Sequence, residues 1–203
     1  MNPSTTAMIL VGYQNDYFAQ DGILRGVIED PTSVDSVLAS TLSFIEEVAS
    51  TGMSIISTPI VLTPDYRAMA NPVGILNTIK ESGAFKAGST GADTIPEILA
   101  LGDRIDYVTG KVGFNAFSNT ALGDVLADRE VRDVLVAGMV TSLCIDSTGR
   151  AAYERGYDVT VLSDCTSART ITEQEFFCES VFPLYGRAMT STEVLDELRE
   201  TAA

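Results

Sequence analysis

The sequence predicts a three-layer α/β/α domain on a parallel sheet of about six strands, a Rossmann-like arrangement. Short apolar runs alternate along the chain with segments whose apolar residues recur every three or four positions. Strands that alternate with helices form parallel sheets covered on both faces. The 203 residues suffice for a full core, and neither linker nor repeat divides them. We therefore expect one domain over residues 1–203.

Short apolar or β-branched runs between polar and glycine-rich segments predict the strands. They are residues 7–13, 53–62, 104–109, 133–137, 158–163 and 187–190. Pro59 should shorten or bend the second strand, and the third has the weakest pattern.

Helices are predicted between these strands. One presents an apolar face from Val34 to Val48 and ends at Gly52, and others include residues 122–127 and 144–155. Thr190 and Glu193 form a capping box for the last helix. Residues 63–95 show no clear periodicity, which predicts a lid, a binding loop or an oligomer contact.

The composition limits the partners. Thirteen basic residues against 28 acidic ones give a net charge of −15, which argues against nucleic acid and anionic membranes. We expect a small-molecule substrate instead. An odd count of three cysteines and a start without signal-peptide character favour a reducing cytoplasm. With no histidine in the chain, a histidine metal site is impossible, and we expect neither a metal nor an organic cofactor.

The most informative segment is 133–152, in which a buried strand is broken at Gly138 and a helix follows. Cys144 falls near the start of that helix, where unpaired N–H groups and the helix dipole favour a thiolate. Without histidine, Cys-His and Ser-His-Asp catalysis are excluded, so another cation is needed. Asp16, Lys111 and Cys144 all fall at carboxyl ends of predicted strands, where such sheets place their sites.

Three segments in order resemble the isochorismatase-like cysteine hydrolases, which include nicotinamidases, N-carbamoylsarcosine amidases and ureidoacrylate amidohydrolases. They are residues 11–18 (VGYQNDYF), 110–117 (GKVGFNAF) and 138–144 (GMVTSLC). The resemblance covers nearly the whole chain and implies the isochorismatase fold.

The family's catalytic trio is an aspartate, a lysine and a cysteine. Lys111 and Cys144 match the lysine and the cysteine, but Gly12 stands at the aspartate position. Asp16 matches a second acidic residue of the same motif, and it either holds the loop or serves as a relocated base. Glu173 is a rival source of the carboxylate.

The resemblance also implies a cis peptide bond between Met139 and Val140, with the N–H groups of Val140 and Cys144 forming an oxyanion hole. Tyr17 and Phe117 flank the matching motifs and are either pocket walls or core residues. Residues 58–63 lack the histidines of the nicotinamidase metal site, which weakens that subgroup.

The expected function is hydrolysis of a small non-peptide amide or ureido bond through a thioacyl-enzyme. One alternative is a non-hydrolytic small-molecule-binding or thiol-sensing protein that has lost the catalytic aspartate. Isochorismatase activity, the cleavage of a vinyl ether, is less favoured because in the family it depends on that aspartate. The resemblance also implies a homodimer or a homotetramer, the assemblies that are common in this family.

Overall fold

The computed structural model describes residues 1–69 and 71–202. Its strands form one six-stranded sheet in the order β3-β2-β1-β4-β5-β6, with every pairing parallel. The strands are β1 (Thr6–Val11), β2 (Ser54–Thr58), β3 (Asp106–Tyr107), β4 (Asp133–Met139), β5 (Asp158–Ser167) and β6 (Arg187–Met189). The predicted parallel α/β fold is confirmed.

Helices cover both faces of this sheet. They are α1 (Asn15–Phe18), α2 (Thr32–Glu47), α3 (Ile75–Ser82), α4 (Pro96–Leu99), α5 (Leu122–Asp128), α6 (Asp146–Tyr153), α7 (Ile171–Phe176) and α8 (Ser191–Ala202). The β1–β2 and β4–β5 connections run in opposite directions across the sheet, so right-handed crossovers place α2 and α6 on opposite faces. Helix α8 packs against α2.

Strand β1 lies at the centre and carries the core. All six of its residues are buried because β2 and β4 flank it and helices cover both faces. Its carboxyl end lies beside that of β4, with Val11 opposite Gly138. The first and third matching motifs, which follow these strands, are therefore neighbours in space.

Several predicted boundaries are wrong for local reasons. β3 keeps only two residues because it is an edge strand with one neighbour, and β5 continues beyond Ser163 to Ser167 across a register shift against β4. Residues 63–95 contain α3, whose eight residues between Gly74 and Gly83 are too few for a clear period. The effect of Pro59 is confirmed, since β2 ends at Thr58.

Within the described ranges, no helix has the length and apolar character of a membrane span.

Candidate active site

The turn that carries Cys144 follows directly from β4. Gly138 has a φ of +121°, and a Cβ there would lie 1.9 Å from the carbonyl oxygen of Val11, so only glycine fits. The Met139–Val140 peptide bond is cis. Thr141–Ile145 then forms one π-helical turn before α6 begins at Asp146, two residues later than the sequence predicts. This turn leaves Cys144 only 4% exposed.

The π turn changes which amides are bonded. The Val140 carbonyl accepts from the N–H of Leu143 at 3.0 Å and of Ile145 at 3.2 Å, whereas an α-helix would bring it the N–H of Cys144. The Val140 N–H donates to no residue in the part of the chain that the structure describes. Of the two amides of the expected oxyanion hole, the Val140 N–H is thus without a partner in this part of the structure, and the Cys144 N–H does not bond to the Val140 carbonyl.

Hydrogen bonds from helix α7 hold the same turn against β5. Thr141 Oγ1 donates to Gln174 Oε1 at 2.6 Å, and Gln174 Nε2 donates to the Ser163 carbonyl at 3.0 Å. Ser142 Oγ donates to Glu173 Oε2 at 3.1 Å. These bonds fix the orientation of the turn that carries Cys144.

Lys111 is brought to Cys144 from the other half of the sheet. Its side chain is completely buried, and its Nζ donates to the Gly113 carbonyl at 2.5 Å and to Cys144 Sγ at 3.6 Å. The Lys111 backbone pairs with Ile60 just after β2. Gln14 holds Ile60 in turn, accepting from its N–H at 2.8 Å and donating to its carbonyl at 2.7 Å. A buried glutamine from the first motif therefore positions the lysine of the second.

Lys111 and Cys144 form an isolated cysteine–lysine pair. Among residues 1–69 and 71–202, Lys111 makes no salt bridge to a carboxylate. Burial lowers the pKa of Lys111, and the charge and hydrogen bond of Cys144 raise it again, with a net result below the ordinary lysine value. Cys144 Sγ is thus the side-chain partner that the structure gives the Lys111 Nζ.

Asp16 is buried, but its contacts lie in the loops. Its Oδ2 accepts from the N–H of Phe85 at 2.5 Å, and a Cβ at Gly91 would lie only 2.1 Å from Oδ1. Burial raises the pKa of Asp16, and the N–H groups of Phe85 and Ile23 partly offset the rise. The hydrogen bonds of the described residues do not join Asp16 to the cysteine–lysine pair. These contacts favour the loop-holding alternative for Asp16.

Glu173, the rival carboxylate, is already engaged. It forms a salt bridge with Arg169 and accepts from Ser142. Burial raises the pKa of Glu173, but the hydrogen bonds from Arg169 and Ser142 outweigh it, so the pKa lies below its ordinary value. Glu173 is consequently ionised and holds the turn that carries Cys144 through Ser142.

A small closed cavity lies over Cys144. Its volume is about 10 Å³, room for about one water molecule. We call residues 63–69 and 71–83 the lid, because this segment supplies four of the walls. The lining residues are Tyr17, Ile60, Val112, Gly113, Phe114, Leu143 and Cys144, with Met69, Ile75, Leu76 and Ile79 from the lid.

Of the two aromatic residues predicted as walls, Tyr17 lines this cavity and Phe117 does not. The N–H of Ala116 donates to Thr148 Oγ1 at 3.1 Å, which docks the Phe117 turn against α6. The Phe117 ring then packs 6.3 Å from the ring of Tyr157. Phe117 is a core residue, the other reading that the sequence allows.

Most of the walls are not predicted by the sequence. Phe114 lies in the same motif as Lys111, so the motif itself could have indicated it as a wall beside or instead of Phe117. The lid lies within residues 63–95, for which the sequence predicts a lid, a binding loop or an oligomer contact, but nothing in the pattern shows which of its residues reach Cys144. Gln14 stands within a matching motif, but its role in fixing Ile60 depends on contacts between distant segments.

The fold and the site define an α/β protein with a buried cysteine–lysine pair at the carboxyl edge of a parallel sheet. The family model described as the Isochorismatase domain matches residues 6–193. The chain belongs to the isochorismatase family and is an isochorismatase-family hydrolase.

Individual relatives agree with this assignment. The chain is 28% identical over 178 residues to ureidoacrylate amidohydrolase RutB of Methylobacterium radiotolerans, covering 82% of this chain and 68% of that protein. A cysteine hydrolase from Pseudomonas syringae pv. phaseolicola superposes with a TM-score of 0.83 at 21% identity, covering 98% of this chain and 95% of the other. N-carbamoylsarcosine amidase from Thermoplasma acidophilum gives 0.73 at 18% identity, with coverages of 94% and 97%. The two structural likenesses establish the fold.

Proposed function

We propose that this protein hydrolyses a small carbon–nitrogen bond of the amide or ureido type, outside peptides, through a thioacyl intermediate on Cys144. The observation that carries the proposal is the buried contact of 3.6 Å between Lys111 Nζ and Cys144 Sγ. The names of the relatives, an amidohydrolase of ureidoacrylate and an amidase of N-carbamoylsarcosine, support the same bond type.

In the first step the Cys144 thiolate attacks the substrate carbonyl carbon. The sulfur–carbon bond forms while the carbonyl π electrons move to oxygen. The N–H groups of Val140 and Cys144 would donate to this oxyanion, and such donors contribute about 3–4 kcal/mol each to transition-state stabilisation in well-studied hydrolases.

Lys111 supplies the proton for the second step. As the carbon–nitrogen bond breaks, the leaving nitrogen takes a proton from the Lys111 ammonium and departs as an amine or ammonia. Water then attacks the thioester and gives a proton to the neutral lysine. Collapse releases the acid and restores the thiolate beside an ammonium. The lowered pKa of Lys111 suits it to both transfers.

This mechanism needs no carboxylate at position 12. It differs from the alternative in which Asp16 is the base, because Asp16 stays with the Phe85 N–H in the loops. Neither a metal nor an organic cofactor takes part in these steps. We retain the expectations of a cytoplasmic location and a homodimer or homotetramer as proposals.

A second candidate is a binding or thiol-sensing protein. The observation that favours it is the cavity of about 10 Å³, which admits no substrate until the lid moves. Gly12, which stands at the position of the family's catalytic aspartate, also favours a protein that binds without hydrolysing.

Ammonia release from a panel of small amides and ureas, with intact-mass detection of a thioacyl adduct, separates the two. We expect Cys144→Ser to lose at least about 1000-fold in turnover. Cys178→Ser is the matched control, because Cys178 is half-buried outside the cavity and a hydroxyl can accept the same hydrogen bond from Gln174. If no panel member gives turnover or an adduct, the binding function replaces the hydrolase.

A further inference from the structure

The cavity over Cys144 has almost no polar side chains. Of its eleven lining residues, only Cys144 and Tyr17 carry a polar side-chain atom that can hydrogen-bond, and the others are apolar or glycine. Among the described residues, no aspartate, glutamate, arginine or lysine side chain lines it. Lys111 does not line the cavity and is completely buried against Cys144 Sγ, so in the proposed mechanism it meets the substrate at the scissile bond and not along the apolar walls.

This lining determines which groups the cavity accepts. A carboxylate enclosed here would lose its hydration without gaining a cation, which is strongly unfavourable. An alkyl or aryl group would gain from leaving water. From this chemistry we infer that the substrate of the proposed hydrolase is neutral and carries a small apolar group next to the scissile amide or urea. Anionic ureido or amido acids are rejected. This inference rests on the proposed function.

The nearby cations of the chain do not alter this expectation. Arg67, Lys80 and Lys86, on and just after the lid, are exposed to solvent and remain hydrated. The net charge of −15 also opposes the approach of an anion.

Tyr17 provides the polar contact that a neutral amide requires. Among the described residues its hydroxyl makes no hydrogen bond, and it is not fully buried, so it can donate to a bound group. Burial, the nearby Cys144 and the more weakly acting Asp16 raise the pKa of Tyr17 well above its ordinary value, so it remains a donor at neutral pH. A phenol that donates to a carbonyl or ureido oxygen suits a neutral substrate.

The test uses two pairs of compounds that differ in charge but hardly in shape. Isocaproamide is compared with succinamate, and isopentylurea with β-ureidopropionate, by ammonia release. We expect kcat/KM for the better neutral compound to exceed that of its anionic partner at least 100-fold, a factor corresponding to about 2.7 kcal/mol. Protection of Cys144 from iodoacetamide by each compound gives a second readout that needs no turnover.

Matched variants of the lid locate the effect in the cavity wall. Leu76→Arg places a cation at a half-buried wall position, and Leu76→Gln is the polar control without a charge. We expect the ratio of kcat/KM for succinamate to kcat/KM for isocaproamide to be at least tenfold higher in Leu76→Arg than in Leu76→Gln, because only the arginine pairs with the carboxylate.

The outcomes distinguish this inference from the proposed function. Cys144-dependent turnover, or protection of Cys144, that favours the anionic compounds overturns the neutral-substrate inference and leaves the hydrolase intact. Stronger protection by the neutral compounds without turnover or adduct supports the neutral cavity and removes the hydrolase. Equal protection by both members of each pair also overturns the inference.

Discussion

The ring of Tyr17 lies 3.5 Å from the point at which a Cβ on Gly12 would stand. At the position of the family's aspartate, an added side chain would therefore start in van der Waals contact with an aromatic ring. Gly12 itself has a φ of +76°, and the same Cβ would come within 3.2 Å of the Met139 carbonyl oxygen. A side chain at position 12 therefore meets backbone strain and one close backbone contact.

Restoring an aspartate at position 12 should therefore harm the protein. Gly12→Asp places a side chain in the left-handed region against two neighbours, and we expect a loss of about 1–3 kcal/mol in the free energy of unfolding. Turnover should fall, because the Met139 carbonyl, at the cis peptide bond before the Cys144 turn, must give way. Urea unfolding and kcat/KM on the best panel substrate measure both effects.

Gly52→Ala is the matched control for Gly12→Asp. Gly52 has a φ of +73°, but a Cβ added there would have nothing within 4 Å of it, so it reports backbone strain without the contacts. We expect a smaller destabilisation and unchanged turnover. A Gly12→Asp variant that gains turnover contradicts this account and points to a repairable aspartate site.

Lys111→Met should abolish turnover and slow alkylation of Cys144 by iodoacetamide at least about tenfold near neutral pH, because the thiolate loses its counter-charge. Stability should stay equal or rise by about 1–3 kcal/mol, since a buried ammonium is replaced by an apolar chain. Peptide-resolved mass spectrometry of the three cysteines measures the alkylation. Undiminished alkylation would remove Lys111 from the chemistry.

The stability effect of Lys111 should depend on pH. Its pKa is lower in the folded protein than the ordinary 10.5, so between these two values the unfolded chain binds more protons. The free energy of unfolding of the parent protein therefore rises with pH through that window. The gain in stability that Lys111→Met brings becomes smaller over the same range. Urea unfolding of both proteins at neutral and alkaline pH checks the sign.

Asp16→Ala should cost stability more than catalysis. It leaves the buried Phe85 N–H without its acceptor, which typically costs about 1–3 kcal/mol. We expect kcat/KM to fall less than about tenfold. Asp16→Asn keeps an acceptor oxygen and is the control. If Asp16→Asn folds with parental stability but loses turnover altogether, Asp16 is the base and the lysine mechanism is wrong.

Ile79→Ala tests the lid. Removing this buried side chain should lower stability by about 2–4 kcal/mol and lower KM for bulkier neutral amides, because it enlarges the cavity. Val73→Ala is the control in the same segment, since Val73 is 78% exposed. If Ile79→Ala accepts the same range of substrates as the parent protein, the lid does not limit the size of the substrate.

The apolar runs and Gly138 were sufficient to predict the sheet and the break after its fourth strand, whereas the cysteine–lysine pair was predicted from the motifs that resemble the family. The sequence was insufficient for the walls. Ile75, Leu76 and Ile79 reach Cys144 through the folding back of the lid, and no local spacing encodes that contact. Phe117 and Phe114 are equivalent in type, and only the docking of Ala116 on α6 decides which one faces the site.

The closed cavity has a consequence for affinity. If substrate binds only the opened lid, the apparent dissociation constant is the intrinsic one divided by the open fraction, so a lid open about 1% of the time weakens binding about 100-fold. Substitutions on the outer surface of the lid can then tighten binding by favouring opening, without touching substrate, Cys144 or Lys111. Selection on such positions would tune the range of compounds this fold accepts while its chemistry stays fixed.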